Sequence, residues 1–515
     1  MPESSLATYI PESWLGILVA DTFWFIAISI LLSSMACKKS LPPGPSGIPW
    51  IGQGFKVPML HSHLYYTRLA RKYGDIYLVT ALGQKIVVLN SYTAAFEVLG
   101  KHGNTHCNRP ANPFLTRFLG LEHTVALGDA TKDWKECRRL YQLLLNKDVV
   151  RTNHAQDIAS QVYNYILRVM ELGQDTNNEV IDTVVHKIIL QTTYGIAAKD
   201  DDPLLSDAIH STNVASTGLT PGKYLVNSFP ILQYLPGWVP FQTWRTDGEK
   251  SRPWLERLKN IPWERMLTGE ANGSAEESFA RGLYCERSPT NEHLLKITGL
   301  TNLIAGVEPM TGVCRMFILA MLLYPDVQQK AQEELDRVVG NDRLPTVDDQ
   351  PNLPYLNAVV KEVLRFRPVA PLSVPTSPTK VDAYKDYLIP QDVIVVQNSW
   401  AISRDERMYP DANCFDPDRW LVPDPPKDPR LWYFGIGRRV CPGVGYAEIL
   451  YGTLFMTLLA TVDIIHAYDK DGKEIFVDPS APTTGRFACI PEAFSYSLRP
   501  RSDSAASLLS NAVPS

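Results

Sequence analysis

Eight cysteines in 515 residues form no CxxC pair, which excludes the usual cysteine-paired zinc sites. An excess of positive charge is also missing. Lysine and arginine number 50 against 55 acids, for a net charge of -5, and this excludes a generally basic nucleic-acid binder. No mid-chain low-complexity linker and no internal repeat divides the chain, so its length reads as one large domain with short appendages. Cysteines scattered in this way suit a reducing compartment, where most act as small buried hydrophobes.

What the chain does have begins with one long apolar run. From Trp14 to Cys37 the only charge is Asp21, and Lys38 and Lys39 follow directly. A helix of that length spans a bilayer core of roughly 30 Å. Asp21 lies a third of the way in, so the span proper starts near or after it. The flanking lysines orient the rest of the chain toward the cytosol. A cleaved signal peptide is the rival, but its positive n-region is missing. The expected organisation is a lumenal tail 1–13, a transmembrane anchor 14–37, a proline-rich hinge 38–50, a catalytic domain 51–500 and a disordered Ser/Ala-rich tail 501–515.

Three short motifs follow one another toward the C-terminus. KEVLRFRP (361–368) ends a helical pattern and puts Glu362 and Arg365 three apart, on one face. FDPDRW (415–420) carries Arg419 between a proline and an aromatic. FGIGRRVCPG (434–443) sets Cys441 among three glycines and two adjacent arginines. Glycines let a flat object approach the backbone, and arginines favour a thiolate or bind anions. A bare ExxR is usually a surface ion pair; the three motifs in this order are far more specific.

In that order the motifs resemble those of a cytochrome P-450, a heme-thiolate protein, and the match runs from the anchor to about Arg499. The resemblance implies a mainly α fold with small β-sheets. It makes Cys441 the thiolate ligand of the iron of heme b, with Phe434 shielding it, Gly437 and Gly443 allowing close approach, and Arg439 binding a propionate. Trp134 and Arg138, four apart in KDWKECRRL, would meet propionates as well, while Glu362, Arg365 and Arg419 would form a structural cluster supporting the cysteine loop. It further implies an endoplasmic-reticulum membrane enzyme with its catalytic domain in the cytosol. Its electrons would come from a separate NADPH-cytochrome P-450 reductase, since no Gly-rich dinucleotide fingerprint or flavin module is visible in the chain. Segment 131–151, with six basic residues against three acidic ones, is either a solvated helix or the docking face for that acidic partner.

Two departures from the family pattern stand out. The long apolar stretch 297–325 should read A-G-x-D/E-T-T/S at its centre, where an acid and an alcohol help deliver protons during oxygen activation. Here Ala305, Gly306 and Glu308 are in place, but Pro309 and Met310 stand where the alcohols belong. Glu308 and Thr311 are the expected catalytic pair. The second departure is in PVAPLSVPTSPTK (368–380), where Thr376 and Ser377 replace the histidine or arginine that relatives offer to a propionate.

The expected reaction is insertion of one oxygen atom from O₂ into a lipophilic small molecule, in the style of fungal secondary metabolism of terpenoids or polyketides. The apolar stretch Val369–Val374 and the apolar, aromatic segment 224–241 at the membrane surface favour such a substrate. A heme-thiolate isomerase, dehydratase or desaturase is the alternative that Pro309 raises, and a non-catalytic heme-binding protein is a further one.

Overall fold

The computed structural model describes residues 41–48, 51–173, 177–286, 292–478 and 483–513. The expected lumenal tail and anchor, and residues 38–40 and 49–50 of the hinge, lie outside the described residues.

Helix α1, Ser62–Tyr73, leads into strands β1, Ile76–Ala81, and β2, Gln84–Leu89. These pair antiparallel from Ile76 opposite Leu89 to Ala81 opposite Gln84. Leu82 and Gly83 between them both take positive φ, 48° and 77°, the turn whose twist matches that of the strands. Helices α2 (Lys132–Leu144), α3 (Ala155–Leu172), α4 (Val180–Tyr194), α5 (Pro203–Leu219) and α6 (Thr243–Asn272) follow. Their starts are written locally. Thr131 caps α2 by accepting from the Trp134 amide, and Asp202 caps α5 ahead of Pro203 in the first turn. Gly273, at φ 76°, ends α6, so Asn272-Gly-Ser274 serves as a helix stop.

Helix α7, Glu292–Leu323, is apolar on every side, with buried residues from Leu294 to Leu322. Helices α8 (Pro325–Val338) and α9 (Pro354–Phe366) precede the β3–β4 hairpin (Asp382–Tyr384, Tyr387–Ile389). Strand β5, Val393–Gln397, lies parallel to β2 and completes the sheet β1-β2-β5. Helix α10, Val444–Thr461, runs into β6, Val462–His466, which pairs antiparallel with β7, Tyr496–Pro500. Helix α11, Asp503–Ala512, closes the described chain.

By length and composition α7 and α10 could each cross a bilayer, but their apolar windows are 72% and 78% buried inside the protein, so they are core helices. Phe317 of α7 stacks on Phe455 of α10 with ring centroids 3.7 Å apart. The site lies where this pair meets the cysteine loop.

The end of the chain corrects one expectation. Residues 503–512 are a helix where a disordered tail was expected, because Ser502 accepts from the Ala505 amide as an N-cap and Leu509 is fully buried. Alanine-rich composition reads as low complexity, yet one cap and one buried leucine suffice to dock a short helix. The described part of the hinge is extended, as its prolines require, and it is tied down. Pro42 is buried, and the Pro43 carbonyl accepts from the Leu78 amide of β1 at 2.8 Å.

Candidate active site

Cys441 sits between a single 3₁₀ turn, Gly437–Arg439, and the start of α10. Its amide donates to the Phe434 carbonyl at 2.8 Å, which closes the loop. Gly437, at φ 74°, would place a Cβ 1.9 Å from the Leu99 carbonyl oxygen. It is therefore needed for packing against segment 96–101, and it does not line the cavity described below. That corrects the expectation that Gly437 lets a ligand approach. Gly435 and Gly443 do line the cavity, and a Cβ on Gly443 would stand 3.9 Å from the Cys441 sulfur.

The Cys441 loop opens onto a cavity of about 350 Å³. Phe434, Gly435 and Cys441 line it from the loop, Ser216 and Leu219 from α5, and Ala305, Glu308 and Pro309 from α7. Cys441 is exposed as a residue, and it lines this cavity. Burial pushes its pKa up, against the pull of the Gly443 amide and the Arg138 charge. A bound metal is what would fix it as a thiolate.

Three arginines line the same cavity without an ion pair among the described residues: Arg109, Arg138 and Arg439. They bond to carbonyls instead. Arg439 donates to Cys107 (2.6 Å), Val125 (3.2 Å) and Gly128 (2.7 Å). Arg138 donates to Val440 at 2.6 Å, and Arg109 to Ala126, Val374 and Pro375 at 2.7–2.9 Å. Burial, then repulsion from the other two guanidiniums, lowers Arg109 to about 9; burial lowers Arg439 to about 10 and Arg138 in the same direction. Asp129 is the nearby acid, acting on Arg439 through its field and accepting from the Arg109 amide at 3.1 Å, but it forms no ion pair with any of the three guanidiniums, and three enclosed cations without one call for an anionic ligand.

Trp134 is placed to organise these cations. Its indole N–H is spent on the Val125 carbonyl at 3.1 Å, and its ring lies 4.4 Å from the Arg439 guanidinium and 5.6 Å from that of Arg138. It is not on the cavity wall, so the expected direct propionate contact is replaced by stacking.

Arg109 was not legible in the sequence. Its guanidinium bonds the two carbonyls just before Thr376, so it puts a cation where the segment 374–377 has none of its own. The Thr376 hydroxyl there is buried and without a partner. A cysteine sulfur, a set of arginines suited to carboxylates and an orphaned hydroxyl in one cavity fit a heme and its propionates.

Behind the loop, Glu362, Arg365 and Arg419 come together as expected. The Glu362 carboxylate accepts from Arg365 (2.7 and 2.9 Å), Arg419 (3.2 Å), the Asp416 amide (2.9 Å) and the Trp420 indole (3.2 Å). None of the three charged residues lines the cavity, so this cluster supports structure.

On α7 the two expected catalytic residues part company. Glu308 faces the cavity, and burial raises its pKa to about 7. Thr311 does not line the cavity; its hydroxyl is buried without a partner. Three residues further along a helix is nearly a full turn, but the intervening Pro309 has no N–H to offer the Ala305 carbonyl, and the wall is made by Pro309, Met310 and Val313 instead. The hydroxyl beside Glu308 belongs to Ser216 of α5, which donates to Oε1 at 2.7 Å. No sequence signal pointed to it.

Among the described residues one other group, His61, His63 and Cys489, brings potential metal-ligand atoms within 4.8 Å of one another. None of the three lines the Cys441 cavity. A second cleft of about 460 Å³, lined by Tyr194, Glu264 and Asn272 among others, holds neither Cys441 nor Glu308.

The family model described as Cytochrome P450 matches residues 42–480. Cytochrome P450 monooxygenase 208 of Postia placenta is 33% identical over 96% of this chain and 97% of its own. Tryptamine 4-monooxygenase of Psilocybe cyanescens is 33% identical over 90% of this chain and 94% of its own. Among solved structures, a zebrafish cytochrome P450 with progesterone superposes with a TM-score of 0.73 at 22% identity, covering 85% of this chain and 99% of that one; this likeness speaks for the fold.

Proposed function

The chain belongs to the cytochrome P450 family and is a heme-thiolate monooxygenase, and from that premise we propose that Cys441 is the ligand of the heme iron and that the substrate is a lipophilic small molecule of fungal secondary metabolism, of the terpenoid or polyketide kind. The observation that carries the reading is one cavity with a cysteine sulfur and three guanidiniums that lack carboxylate partners.

Bound heme supplies dioxygen activation, and electron donation from a thiolate favours O–O cleavage. The chain's own residues do the rest. Arg109, Arg138 and Arg439 hold the propionates, Trp134 orients the latter two cations, and the Glu362 cluster braces the chain that leads into the cysteine loop. Phe434, which lines the cavity next to Cys441 and whose carbonyl holds the Cys441 amide, would shield the sulfur. Glu308 holds a proton at the cavity wall. The net reaction consumes the substrate, one O₂, two electrons and two protons, and yields the hydroxylated product and water.

Electrons come from a separate NADPH-dependent reductase, docking where Lys132 and Lys135 stand exposed on α2. Membrane attachment at the endoplasmic reticulum is supported by the apolar run 14–37 and by a patch of exposed apolar side chains that includes Ile231, Tyr234, Trp238 and Phe241. The mainly apolar cavity lining supports a lipophilic substrate.

Two measurements test the reading. Cys441→Ala should abolish the thiolate-type spectrum of the reduced carbonyl complex, and survival of that spectrum would sink the ligand assignment. A producing host and the same host without this gene, both grown under labelled dioxygen, should differ by a product carrying one heavy oxygen. A product isomeric with its precursor, or lighter by water or hydrogen, would instead favour the rearranging, dehydrating or desaturating enzyme that Pro309-Met310 supports.

A further inference from the structure

The one hydroxyl that helix α7 brings to the cavity, that of Thr301, lies two turns before Glu308 and donates to the Ile297 carbonyl at 2.7 Å, so α7 sets no alcohol beside its acid. Pro309 and Met310 occupy the wall after Glu308, and the Thr311 hydroxyl is turned into the protein. A hydroxyl is nevertheless at hand, from a helix 92 residues earlier in the chain, where Ser216 Oγ donates to Glu308 Oε1 at 2.7 Å. Ser216 is 3% exposed, and both residues line the cavity.

Its position is firmly held. Two residues on, Gly218 packs so tightly that a Cβ there would lie 2.4 Å from Leu115 and 2.7 Å from Phe114. The Gly218 carbonyl accepts from the side chains of Asn112 (3.1 Å) and Asn227 (3.2 Å). The last turn of α5 is thus pinned from two sides, and the serine hydroxyl is held against the carboxyl.

We propose that Ser216 is the positioning hydroxyl of this site: it orients Glu308 and stabilises its carboxylate each time Glu308 gives a proton to the cavity, so that an acid and an alcohol on two helices do what one helix cannot supply. The proposal rests on the monooxygenase reading. In each cycle Glu308 as a carboxylic acid passes its proton to cavity water, the carboxylate left behind keeps the Ser216 O–H bond, and solvent returns a proton. No bond other than O–H is made or broken by the pair. The other charged and titratable groups that act on this carboxyl are Arg486, which favours its ionised form, and Asp182 of α4, which opposes it; the Cys489 thiol lies within the carboxyl's field.

The test uses the heme-loaded protein and the infrared carboxyl band that disappears in Glu308→Gln. In Ser216→Ala the titration midpoint of that band should rise by about one pH unit, a tenfold change in proton affinity, because a hydrogen bond to the charged form has been lost. Ser216→Thr, which keeps the hydroxyl, should titrate like the native protein. The alkaline limb of the pH profile for turnover should move up with the midpoint in Ser216→Ala and stay in place in Ser216→Thr. An unchanged midpoint in Ser216→Ala, or equal shifts in both variants, would overturn the proposal. Should Ser216→Ala fail to fold, Ser216→Cys, close in size and a weak donor, replaces it with the same expected direction. If the native protein lacked the thiolate-type carbonyl spectrum, the monooxygenase reading would fail while the infrared titration still reported on Ser216 and Glu308.

Discussion

Glu362 and Arg365 meet in two hydrogen bonds of 2.7 and 2.9 Å with both side chains wholly buried. The remaining Arg365 N–H groups bond the carbonyls of Ser403, Ala412 and Cys414, so one helix residue fixes three points of the chain that leads to the cysteine loop. Glu362→Gln would leave Arg365 and Arg419 buried without their shared counter-charge. Breaking such a pair costs about 3–5 kcal/mol. We expect a matching loss in chemical unfolding and a protein that emerges from gel filtration depleted of heme. Native heme content in this variant would show that the cluster does not brace the loop.

Arg109 is bound to three carbonyls through two of its nitrogens. A lysine is a point charge on a flexible stem and cannot hold that fork. Losing one charge-assisted contact to a propionate is worth about 1.5–3 kcal/mol, so Arg109→Lys should release heme to an excess of heme-scavenging apoprotein about ten to a hundred times faster. Arg109→Ala should be faster still. A release rate equal to that of the native protein would remove Arg109 from the heme site.

Leu509 is fully buried on α11, which packs beside α3. Replacing such a leucine by alanine costs about 2–5 kcal/mol through lost burial and the cavity left behind. Leu509→Ala should therefore lower the thermal midpoint clearly, whereas Leu508→Ala, on the more exposed side of the helix, should change it little. Equal, small effects would mean that the C-terminal helix adds nothing to the fold.

The outcome at Leu509 bears on what a sequence makes legible. Cys441, Glu362, Arg365 and Arg419 could be picked out because each sits in a local motif whose spacing is the signal. Ser216 and Arg109 have no such local mark. Each matters through a partner 92 or 265 residues away, and only the packing of α5 on α7, or of the loop after Arg109 on segment 374–376, brings the pair together. Gly437 and Thr311 failed in the opposite way. Their residue types fitted the pattern, but the direction in which each faces is set by tertiary packing, against Leu99 in one case and by a proline-bearing helix in the other.

Glu308 gives a prediction whose sign follows from linkage. Burial raises its carboxyl from the ordinary 4.5 to about 7 in the folded protein. The folded chain therefore binds more protons than the unfolded chain between those values, and stability falls as pH rises across the window. Below 4.5 both states are protonated and the term vanishes; above 7 it is constant and unfavourable to folding. Glutamine cannot ionise and keeps a donor and an acceptor for Ser216. The thermal midpoint of Glu308→Gln minus that of the native protein should accordingly be smallest near pH 4.5, climb through pH 7 and then level off. Melting curves of the two heme-loaded proteins at matched ionic strength measure it. A difference that stays flat with pH would mean that Glu308 titrates alike in the folded and unfolded chains, and it would then hold no proton at neutral pH to give to the cavity.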